Sequence, residues 1–403
     1  MYKLVKGLRG DKAVWGILAL MAVFSFLPVY SAITKIVFSD GGSFGVQMFK
    51  HAMLWVLGFA IVYTVHRVPT HYFKGLSLIA LPIVLLLLAY TLTVKTEIGG
   101  VEANRWIPIP FVGIRFQTST LASVVLMVWI ARYLSKIKDK KITFAESILP
   151  LWLPIALVVG LILPANFSTA FIVGFMAFLL CFLGGYPLKY LLRIVGTGLL
   201  IGGMFFFTLL KMPSDAIPFS RALTWKGRIE KFINPAEEIN TADISQLDKA
   251  KMAIAEGGII GKGAGKSVMK NLLPESESDF IFAVIIEEYG LIGGFALLFF
   301  YLLLLFRILV IANSTKSIFS KLLVIGVGLP IVFQALVHMA VAVGLFPTTG
   351  QPLPFISKGG TSIWMTCMAI GIILSASEKK EEEEQPEAKI DDSNPLEVLS
   401  AQL

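Results

Sequence analysis

Residues 273–290, LPESESDFIFAVIIEEYG, join a group of carboxylates to an apolar run that contains two more. Two glutamates and Asp279 precede the run, while Glu287 and Glu288 lie inside it. If the run crosses a bilayer as a helix, Glu287 lies roughly 12 Å deeper than Asp279. Ionisable groups within a membrane span are candidate functional residues. The stretch therefore predicts a spanning helix with a functional site at its mouth.

The whole chain has the composition of a polytopic membrane protein. Of its 403 residues, 56% are hydrophobic and only 15% are charged, and the mean hydropathy is +0.77. These values lie well outside the balance found in soluble domains. The net charge of +8 falls largely in short loops, where membrane topology accounts for it. No nucleic-acid partner is predicted, and Cys181 and Cys367 lie in apolar runs without a disulfide or metal motif.

Ten apolar segments are long enough to cross a membrane, which takes about 20 residues. They lie near 14–36, 46–66, 74–94, 116–135, 147–164, 168–186, 188–212, 280–312, 320–345 and 359–376. The eighth is long for one span, so we expect it to be tilted, broken near Gly290 or extended past the bilayer. The predicted fold is an all-α polytopic membrane domain of ten transmembrane helices over residues 1–376.

Lysine and arginine accumulate in alternate loops, which places that side and both termini in the cytoplasm. The loop 213–279, between the seventh and eighth segments, then lies outside the cell. It is about 67 residues long, and such length indicates function or disorder. The polar, charge-dense residues 377–403 are typical of a disordered cytoplasmic tail.

Two features are predicted inside the large loop. Residues 243–254 have the pattern of a short amphipathic helix. Lys262, Lys266 and Lys270 would share one face if their segment is helical. That segment begins with GGIIGKGAGKS, residues 257–267, but a phosphate-binding loop would need a glycine where Ile260 stands. No nucleotide cofactor is predicted, and a glycine turn whose lysines meet a different phosphate is the alternative.

Cationic side chains near the outer membrane surface have two interpretations. They can anchor helices at the level of the lipid headgroups, or they can bind a lipid pyrophosphate, whose oxygens suit guanidinium groups. Both interpretations stay open for the candidates, which are Arg105, Arg115, Arg221, Arg228, Lys262 and Lys358.

The carboxylates of the opening stretch have different expected roles. Asp279 can cap the helix that follows it, or act as a base that takes a proton from a substrate hydroxyl. Glu287 lies about 80° around the helix from Asp279, while Glu288 points to the opposite side. Intramembrane carboxylates need a partner or a watery cavity. We therefore expect a polar cleft that opens outward, with Asp279 at its mouth and Glu287 facing it.

The end of the membrane domain contains a segment rich in proline and glycine, FPTTGQPLPFISKGGTS at residues 346–362. This composition predicts a structured re-entrant or capping loop. His338 lies on the ninth segment, with Gln334 about one turn earlier. We expect His338 to form hydrogen bonds between helices rather than to bind a metal.

Four separated motifs resemble the SEDS family of shape, elongation, division and sporulation proteins, and the FtsW-like more than the RodA-like members. They are NRWIPIPFVGIRFQTS, GGIIGKGAGKS, LPESESDFIFAVIIEEYGLIGG and FPTTGQPLPFISKGGTS. The resemblance covers nearly the whole chain. It implies a peptidoglycan glycosyltransferase that polymerises lipid II, an undecaprenyl-pyrophosphate-linked disaccharide-pentapeptide, at the outer face of the bacterial cytoplasmic (inner) membrane during division. The implied partners are a class B penicillin-binding protein and other division or elongation proteins.

The resemblance also assigns residues. The family's essential aspartate falls on Asp279, implying a general base or a ligand of a divalent cation such as Mg²⁺ or Mn²⁺. Its glutamate pair falls on Glu287 and Glu288. Gln117 and Ser119 match the motif at the start of the family's fourth helix.

This chain departs from the family pattern at four positions. Thr120 and Ser123 stand where typical members carry an acid and a lysine, and Asn166 replaces another acid. His338 stands at the position of the usual asparagine. An acid and a lysine one turn apart can compensate each other's charge, so their joint loss is compatible with activity.

Two other functions remain open from the sequence. A lipid II flippase or transporter also fits ten helices with intramembrane acids, and it predicts flipping in vesicles without polymer. A noncatalytic division scaffold predicts that Asp279→Asn still complements a deletion.

Overall fold

In the computed structural model, the described residues are 8–40, 43–94, 97–98, 101–102, 106–109, 114–138, 140–213, 220–233, 246–273 and 276–378. Helices lie on every one of the ten predicted apolar segments. They are α1 (Lys12–Asp40), α2 (Phe44–Val65), α3 (Thr70–Thr93), α4 (Thr118–Ile137), α5 (Phe144–Ile162), α6 (Phe167–Leu183) and α7 (Leu188–Lys211), followed after the large loop by α10 (Ile281–Ser314), α11 (Ile318–Ala342) and α12 (Ser362–Ser377). The large loop itself contains α8 (Ser220–Ile233) and α9 (Gln246–Gly257).

The predicted polytopic membrane fold is confirmed in its main features. Within the described residues, eight helices are long and apolar enough to cross a membrane. The other two apolar helices, α6 and α12, have 17 and 16 residues. The total of ten spans therefore stays a prediction.

Short β-hairpins precede α4, and the all-α prediction missed them. Strand β1 (Glu97–Ile98) pairs with β2 (Val101–Glu102), and β3 (Trp106–Ile109) pairs antiparallel with β4 (Ile114–Gln117). The second hairpin combines isoleucine and aromatic residues, which favour strands. Because β4 runs directly into α4, the hairpin fixes where the fourth span begins.

The core is centred on α4 and α11. Within its most apolar window, α11 has 61% of its residues buried, whereas α7 has only 6%. Gly326 of α11 lets the two helices approach closely, because a Cβ there would meet Met127 of α4 and Leu180 of α6. The peripheral α7 packs near its end, through Phe206 and Leu209, against Ala222 and Trp225 of α8.

The predicted break in the eighth span is confirmed. Gly290 has φ 68° and ψ −172°, a conformation outside the helical region. Residues 257–263 lie against this break. Lys262 N donates to Glu287 O and Gly263 N to Glu288 O, both at 2.9 Å, while Leu291 N donates to Gly258 O at 2.9 Å. The glycine segment thus satisfies backbone groups that the break frees, as burial in a membrane requires.

The large loop differs in part from its prediction. The amphipathic helix is confirmed as α9, although residues 243–245 lie outside the described residues. The segment that carries Lys262, Lys266 and Lys270 is not a continuous helix, so the condition for a shared helical face is not met. The glycines among them adopt positive φ and form turns instead. The predicted tail beyond Glu378 also lies outside the described residues.

We predict that Gly290→Ala destabilises the protein by about 1–3 kcal/mol, the usual range for a strained backbone conformation. A Cβ at this position would also come closer than 3.0 Å to the Ile259 carbonyl. The melting temperature in detergent, followed by intrinsic fluorescence, should fall. Gly160→Ala is the matched control, because that glycine is helical and has open space around it. Equal melting temperatures for the two variants would contradict the role of the break.

Candidate functional site

The loop that connects α11 to α12 is held by side chains of spanning helices. Gln334 Nε2 donates to Pro352 O at 2.8 Å, and His338 Nδ1 donates to Gln351 O at 2.8 Å. The Tyr301 hydroxyl donates to the Pro354 carbonyl. Carbonyls at membrane depth need such donors. The prediction of a structured loop is confirmed, while His338 bonds this loop rather than another helix.

One residue of this loop adopts a backbone conformation that is rare for a side chain other than glycine. Phe355 has φ 66°, the sole positive φ among the described non-glycine residues. Its buried ring stacks on Trp55 of α2, with the ring centroids 6.1 Å apart. Such conformations persist where the surrounding structure enforces them. The loop path that leads to Ser357 and Lys358 is therefore fixed by packing.

The same loop holds the backbone next to Asp279. Ser357 Oγ donates to Ser278 O at 2.8 Å, and Lys358 N donates to Glu277 O at 3.0 Å. Ser278 Oγ in turn donates to Asp279 Oδ1 at 3.0 Å. The structure thus brings together the two chain segments that carry Asp279 and Lys358, both of them predicted site residues.

Asp279 itself is half-buried at the mouth of α10. The helix begins at Ile281, and its N-cap residue is Phe280. This residue has φ −124° and ψ 18°, and its side chain forms no capping hydrogen bond. The N-cap position therefore belongs to Phe280, and Asp279 precedes it by one residue.

Gln117 and Ser119 connect the start of α4 to this region. Gln117 N donates to Thr361 Oγ1 at 3.1 Å, on the loop that carries Lys358. Gln117 Nε2 contacts Ser119 Oγ at 3.4 Å, and its buried Oε1 has no hydrogen-bond partner among the described residues. An unpaired buried carbonyl is costly and can be satisfied by water or a ligand.

A cavity of about 50 Å³, whose lining is more apolar than polar, lies in the bundle beyond Ser119. Its polar lining comes from α4, α6, α11, α12 and the connecting loop, through Ser119, Thr120, Ser123, Thr169, Gln334, Gln351 and Thr366. Thr120 and Ser123, the positions that depart from the family pattern, both line it. Their short hydroxyls leave space that is large enough for a few waters. The lining of this cavity therefore contains no charged side chain.

Glu287 does not face that cavity, so the expectation of an outward cleft beside it was wrong. Its side chain is 0% exposed, and its carboxylate accepts hydrogen bonds from the loop that follows the glycine segment. The donors are Ser267 Oγ at 2.5 Å, Val268 N at 2.9 Å and Met269 N at 3.3 Å. Lys262 Nζ adds an ion pair at 3.0 Å. A buried carboxylate is stabilised by several such donors, and here partners take the place of water.

Glu288 belongs to the same polar network, and its position on the side of the helix opposite to Asp279 stays a prediction. Its Oε1 accepts from Ser267 N at 3.3 Å and from the Ser31 hydroxyl of α1. Lys270 Nζ lies 2.9 Å from Ser31 Oγ and also donates to the Gly265 carbonyl at 2.8 Å. The helix breaks two residues after Glu288, so the loop reaches both carboxylates.

Lys262 is engaged by carboxylates. Its ammonium donates hydrogen bonds to Glu256 as well as to Glu287, and these bonds raise the pKa of Lys262. The side chain is 30% exposed. The positive charge of Lys262 is already balanced by Glu256 and Glu287. Its expected contact with a pyrophosphate stays a prediction.

The remaining arginine candidates are not located by the structure. Arg105 lies outside the described residues. The side chains of Arg115, Arg221 and Arg228 also lie outside the described part, although their backbones belong to β4 and α8. Their roles stay predictions.

The donor set around Asp279 bears on the expected divalent cation. Among the described residues, no three His, Cys, Asp or Glu side chains group as metal ligands. Mg²⁺ is commonly bound through one or two carboxylates together with substrate phosphates. Asp279 is a carboxylate of the kind that Mg²⁺ binds, and the expected cation stays a prediction.

Sequence reasoning missed the serines that organise the site. Ser267 bridges Glu287 and Glu288, while Ser357 bridges the last loop and the Asp279 segment. Ser267 lies in the GKS sequence that was compared with a phosphate-binding loop, so a signal for anion binding was present. Ser357 gave no signal beyond its position in a segment rich in proline and glycine.

Comparisons with known proteins agree with this architecture. A family model named FTSW_RODA_SPOVE and described as "Cell cycle protein" matches residues 11–382. A "Probable peptidoglycan glycosyltransferase FtsW" of Thiomicrospira cyclica is 36% identical over 72% of this chain and 71% of that protein. One of the same description from Polynucleobacter necessarius is 31% identical over 90% of this chain and 84% of its own.

Solved structures share the fold. A chain from a study of polymerization and crosslinking by a peptidoglycan synthase complex superposes with a TM-score of 0.70 at 23% identity, covering 91% of this chain and 97% of that one. The rod shape determining protein RodA of Thermus thermophilus gives a TM-score of 0.62 at 23% identity, over 91% of this chain and 96% of that one. These likenesses support the polytopic helical fold.

We predict that Glu287→Ala destabilises the protein by about 3 kcal/mol or more, because it leaves the buried Ser267 hydroxyl and two partly buried N–H groups of the loop without an acceptor, and the Lys262 ammonium without a partner inside α10. Lys262→Ala should cost no more than about 1 kcal/mol, because that partner is partly exposed and three other donors remain. Thermal unfolding of both purified variants in the same detergent measures the difference. A larger loss for Lys262→Ala would show that the ion pair, rather than the loop backbone, stabilises Glu287.

Proposed function

The chain belongs to the FtsW, RodA and SpoVE family of cell cycle proteins, and we propose that it polymerises lipid II into glycan strands with Asp279 as general base. Its relatives are named as probable peptidoglycan glycosyltransferases. Lipid II is the substrate class that this activity requires. The proposal places the chain in the bacterial cytoplasmic membrane, with both termini inside and the large loop outside.

One observation carries the assignment of Asp279. Its neighbours Glu277 and Ser278 are bound through their carbonyls to Lys358 and Ser357 of the loop before α12. A general base must hold its oxygen within hydrogen-bond reach of the proton it removes. Backbone anchoring of this kind keeps the half-buried carboxylate in one position while leaving part of it accessible to substrate.

In the proposed reaction, the 4-hydroxyl oxygen of the acceptor's glucosamine attacks the anomeric carbon of the donor sugar. The new glycosidic bond forms as the bond to undecaprenyl pyrophosphate breaks, with inversion at that carbon. The hydroxyl proton passes to Asp279. General base catalysis supplies about 10²- to 10⁴-fold, and positioning of the two substrates supplies much of the remainder.

Cations would stabilise the departing pyrophosphate, because charge develops on it in the transition state. Lys358 is a candidate for this role, because its backbone N–H donates to Glu277 O, two residues before Asp279. Arg105, Arg115, Arg221 and Arg228 remain candidates from the sequence. In its alternative role, Asp279 would hold a divalent cation, which would supply the same electrostatic stabilisation.

A crosslinking partner is part of the proposal. The likeness to a chain of a complex that couples polymerization and crosslinking supports this assembly. A class B penicillin-binding protein is the partner class that would crosslink the new strands. A role in division is favoured over elongation by the FtsW descriptions of the relatives at 30–36% identity.

We predict that Asp279→Asn lowers polymerisation of lipid II by roughly 10²- to 10⁴-fold, since the amide cannot accept the proton. The purified protein, with and without its penicillin-binding partner, is incubated with lipid II, and the glycan strands are resolved by size. Asp248→Asn is the matched control, because this acid lies in the same large loop and pairs with Lys251 at the surface.

Two results would contradict the proposal in different ways. Equal strand formation by wild type and Asp279→Asn would show that the assigned base is wrong. A wild-type complex that moves lipid II across vesicles without making strands would indicate a transporter instead.

We predict that Ser357→Ala lowers kcat roughly tenfold and leaves the pH profile unchanged, because Ser357 positions Asp279 and carries no proton in the reaction. The lost hydrogen bond to Ser278 O is worth about 1 kcal/mol. Ser357→Thr should restore most of kcat, and Ser314→Ala, at the other end of α10, is the control. A shift of the pH profile with Ser357→Ala would contradict a purely positioning role.

A further inference from the structure

The first turns of α7, at the end of the helix opposite the large loop, carry two cations one turn apart, Lys189 and Arg193. Both side chains are exposed. Lys189 Nζ lies 4.9 Å and Arg193 Cζ lies 5.8 Å from the ring centroid of Tyr190. An aromatic ring attracts a cation within about 6 Å of its centroid. Both positive charges therefore lie beside one ring.

The ring of Tyr190 is held in place by neighbouring elements. It is buried, and its centroid lies 5.5 Å from that of Phe144 at the start of α5 and 6.1 Å from that of Tyr186. Tyr186 is fixed in turn, because Trp152 Nε1 donates to its hydroxyl at 3.1 Å. The two cations are thus positioned by packed aromatic side chains.

The chain does not balance the positive charge at this position. Residues 147–214 contain no aspartate or glutamate. Within the described part of the chain, neither Lys189 nor Arg193 forms an ion pair. Like charges one turn apart on a helix repel each other, and a lysine in the first turn also opposes the helix dipole. Membrane topology accounts for cations on this side of the membrane, but not for their placement on one ring.

Apolar side chains lie beside these cations on the surface of α7. Leu188 and Leu192 are 52% and 60% exposed. Each immediately precedes one of the two cations in the sequence. At about 100° per residue, the leucine pair and the cation pair therefore form adjacent stripes along the helix.

The length of α7 places these stripes at a membrane surface. The helix has 24 residues, roughly 36 Å at its usual rise, whereas the hydrocarbon core is about 30 Å thick. Only 6% of the residues in its most apolar window are buried in the bundle. The first turns of α7 thus reach the lipid headgroups, and long cationic side chains near a helix end extend toward that level.

We propose that Lys189 and Arg193 bind the phosphodiester of an anionic phospholipid, in the leaflet opposite the large loop. The ammonium and the guanidinium donate to phosphate oxygens. Leu188 and Leu192 contact the acyl chains of the same lipid. A lipid matches both stripes, whereas a free phosphate or an acidic peptide matches the cations alone. The site goes beyond the reaction proposed for Asp279 and does not depend on it.

Native mass spectrometry of the full chain in detergent measures the apparent Kd of the first bound dioleoylphosphatidylglycerol. We expect Arg193→Gln to raise this Kd roughly fivefold, and Lys189→Gln with Arg193→Gln to raise it roughly 20-fold, because each cation near a membrane surface adds an attraction of that order. Arg193→Lys keeps the charge and should retain most of the affinity, which separates loss of charge from poor folding. Lys321→Gln is the matched control, because this exposed lysine lies in the first turn of α11, on the same side of the membrane.

Dioleoylphosphatidylcholine should bind more weakly and equally to all variants, since its headgroup has no net charge. Equal Kd values of wild type and the double variant for dioleoylphosphatidylglycerol would overturn the proposal. Displacement of the lipid by excess inorganic phosphate would also overturn it, because the site would then take a soluble anion.

A chain that ends at Glu378 tests the remaining occupant. If its Kd for dioleoylphosphatidylglycerol is far below that of the full chain, the acidic residues of the tail occupy the cations and the proposal is wrong. An unchanged Kd supports the lipid. None of these measurements uses polymerase activity, so failure of the proposed function leaves them unaffected.

Discussion

The carboxylate of Glu287 lies within an apolar helix and has no access to water, so its charge must be balanced by the protein. Ser267, Val268 and Met269 provide hydrogen bonds from one loop, and Lys262 provides the positive charge. This requirement joins the large outer loop to α10. The loop can approach closely because the helix opens at Gly290, where a Cβ would collide with the Ile259 carbonyl. The break, the glycine segment and the buried acids are thus parts of one arrangement.

The sequence predicted the apolar segments and the break near Gly290, because hydropathy and glycine act locally. It could not predict what the GKS sequence does. The spacing correctly excluded a nucleotide loop, and the loop does bind an anion through backbone N–H groups, but the anion is Glu287 of the same chain. That contact joins residues about 20 positions apart through a turn whose path depends on positive φ at several glycines. A one-dimensional pattern does not contain this path.

In the candidate site, too, features that depend on neighbouring residues were predicted, whereas contacts between distant residues were not. Asp279 was predicted from its place at the mouth of a span and from the family resemblance. Its backbone supports were not, because Ser357 follows Asp279 by about 80 positions and lies in a loop whose shape depends on Trp55, Gln334 and His338. The departures at Thr120 and Ser123 were visible in the sequence. Their consequence, a cavity without charged side chains in which their hydroxyls lie among apolar residues, required the packing of four helices.

The segment from Asp279 to Gly290 is held at both ends by different parts of the chain. At one end the loop before α12 binds the backbone of Glu277 and Ser278, and at the other the glycine segment binds the broken helix. The intervening residues 281–289 form a helix only about 13 Å long, which is too short to bend appreciably. The position of Asp279 therefore depends on both attachments. These backbone supports come from the loop before α12 and from the glycine segment, and they do not involve Thr120 or Ser123 of α4.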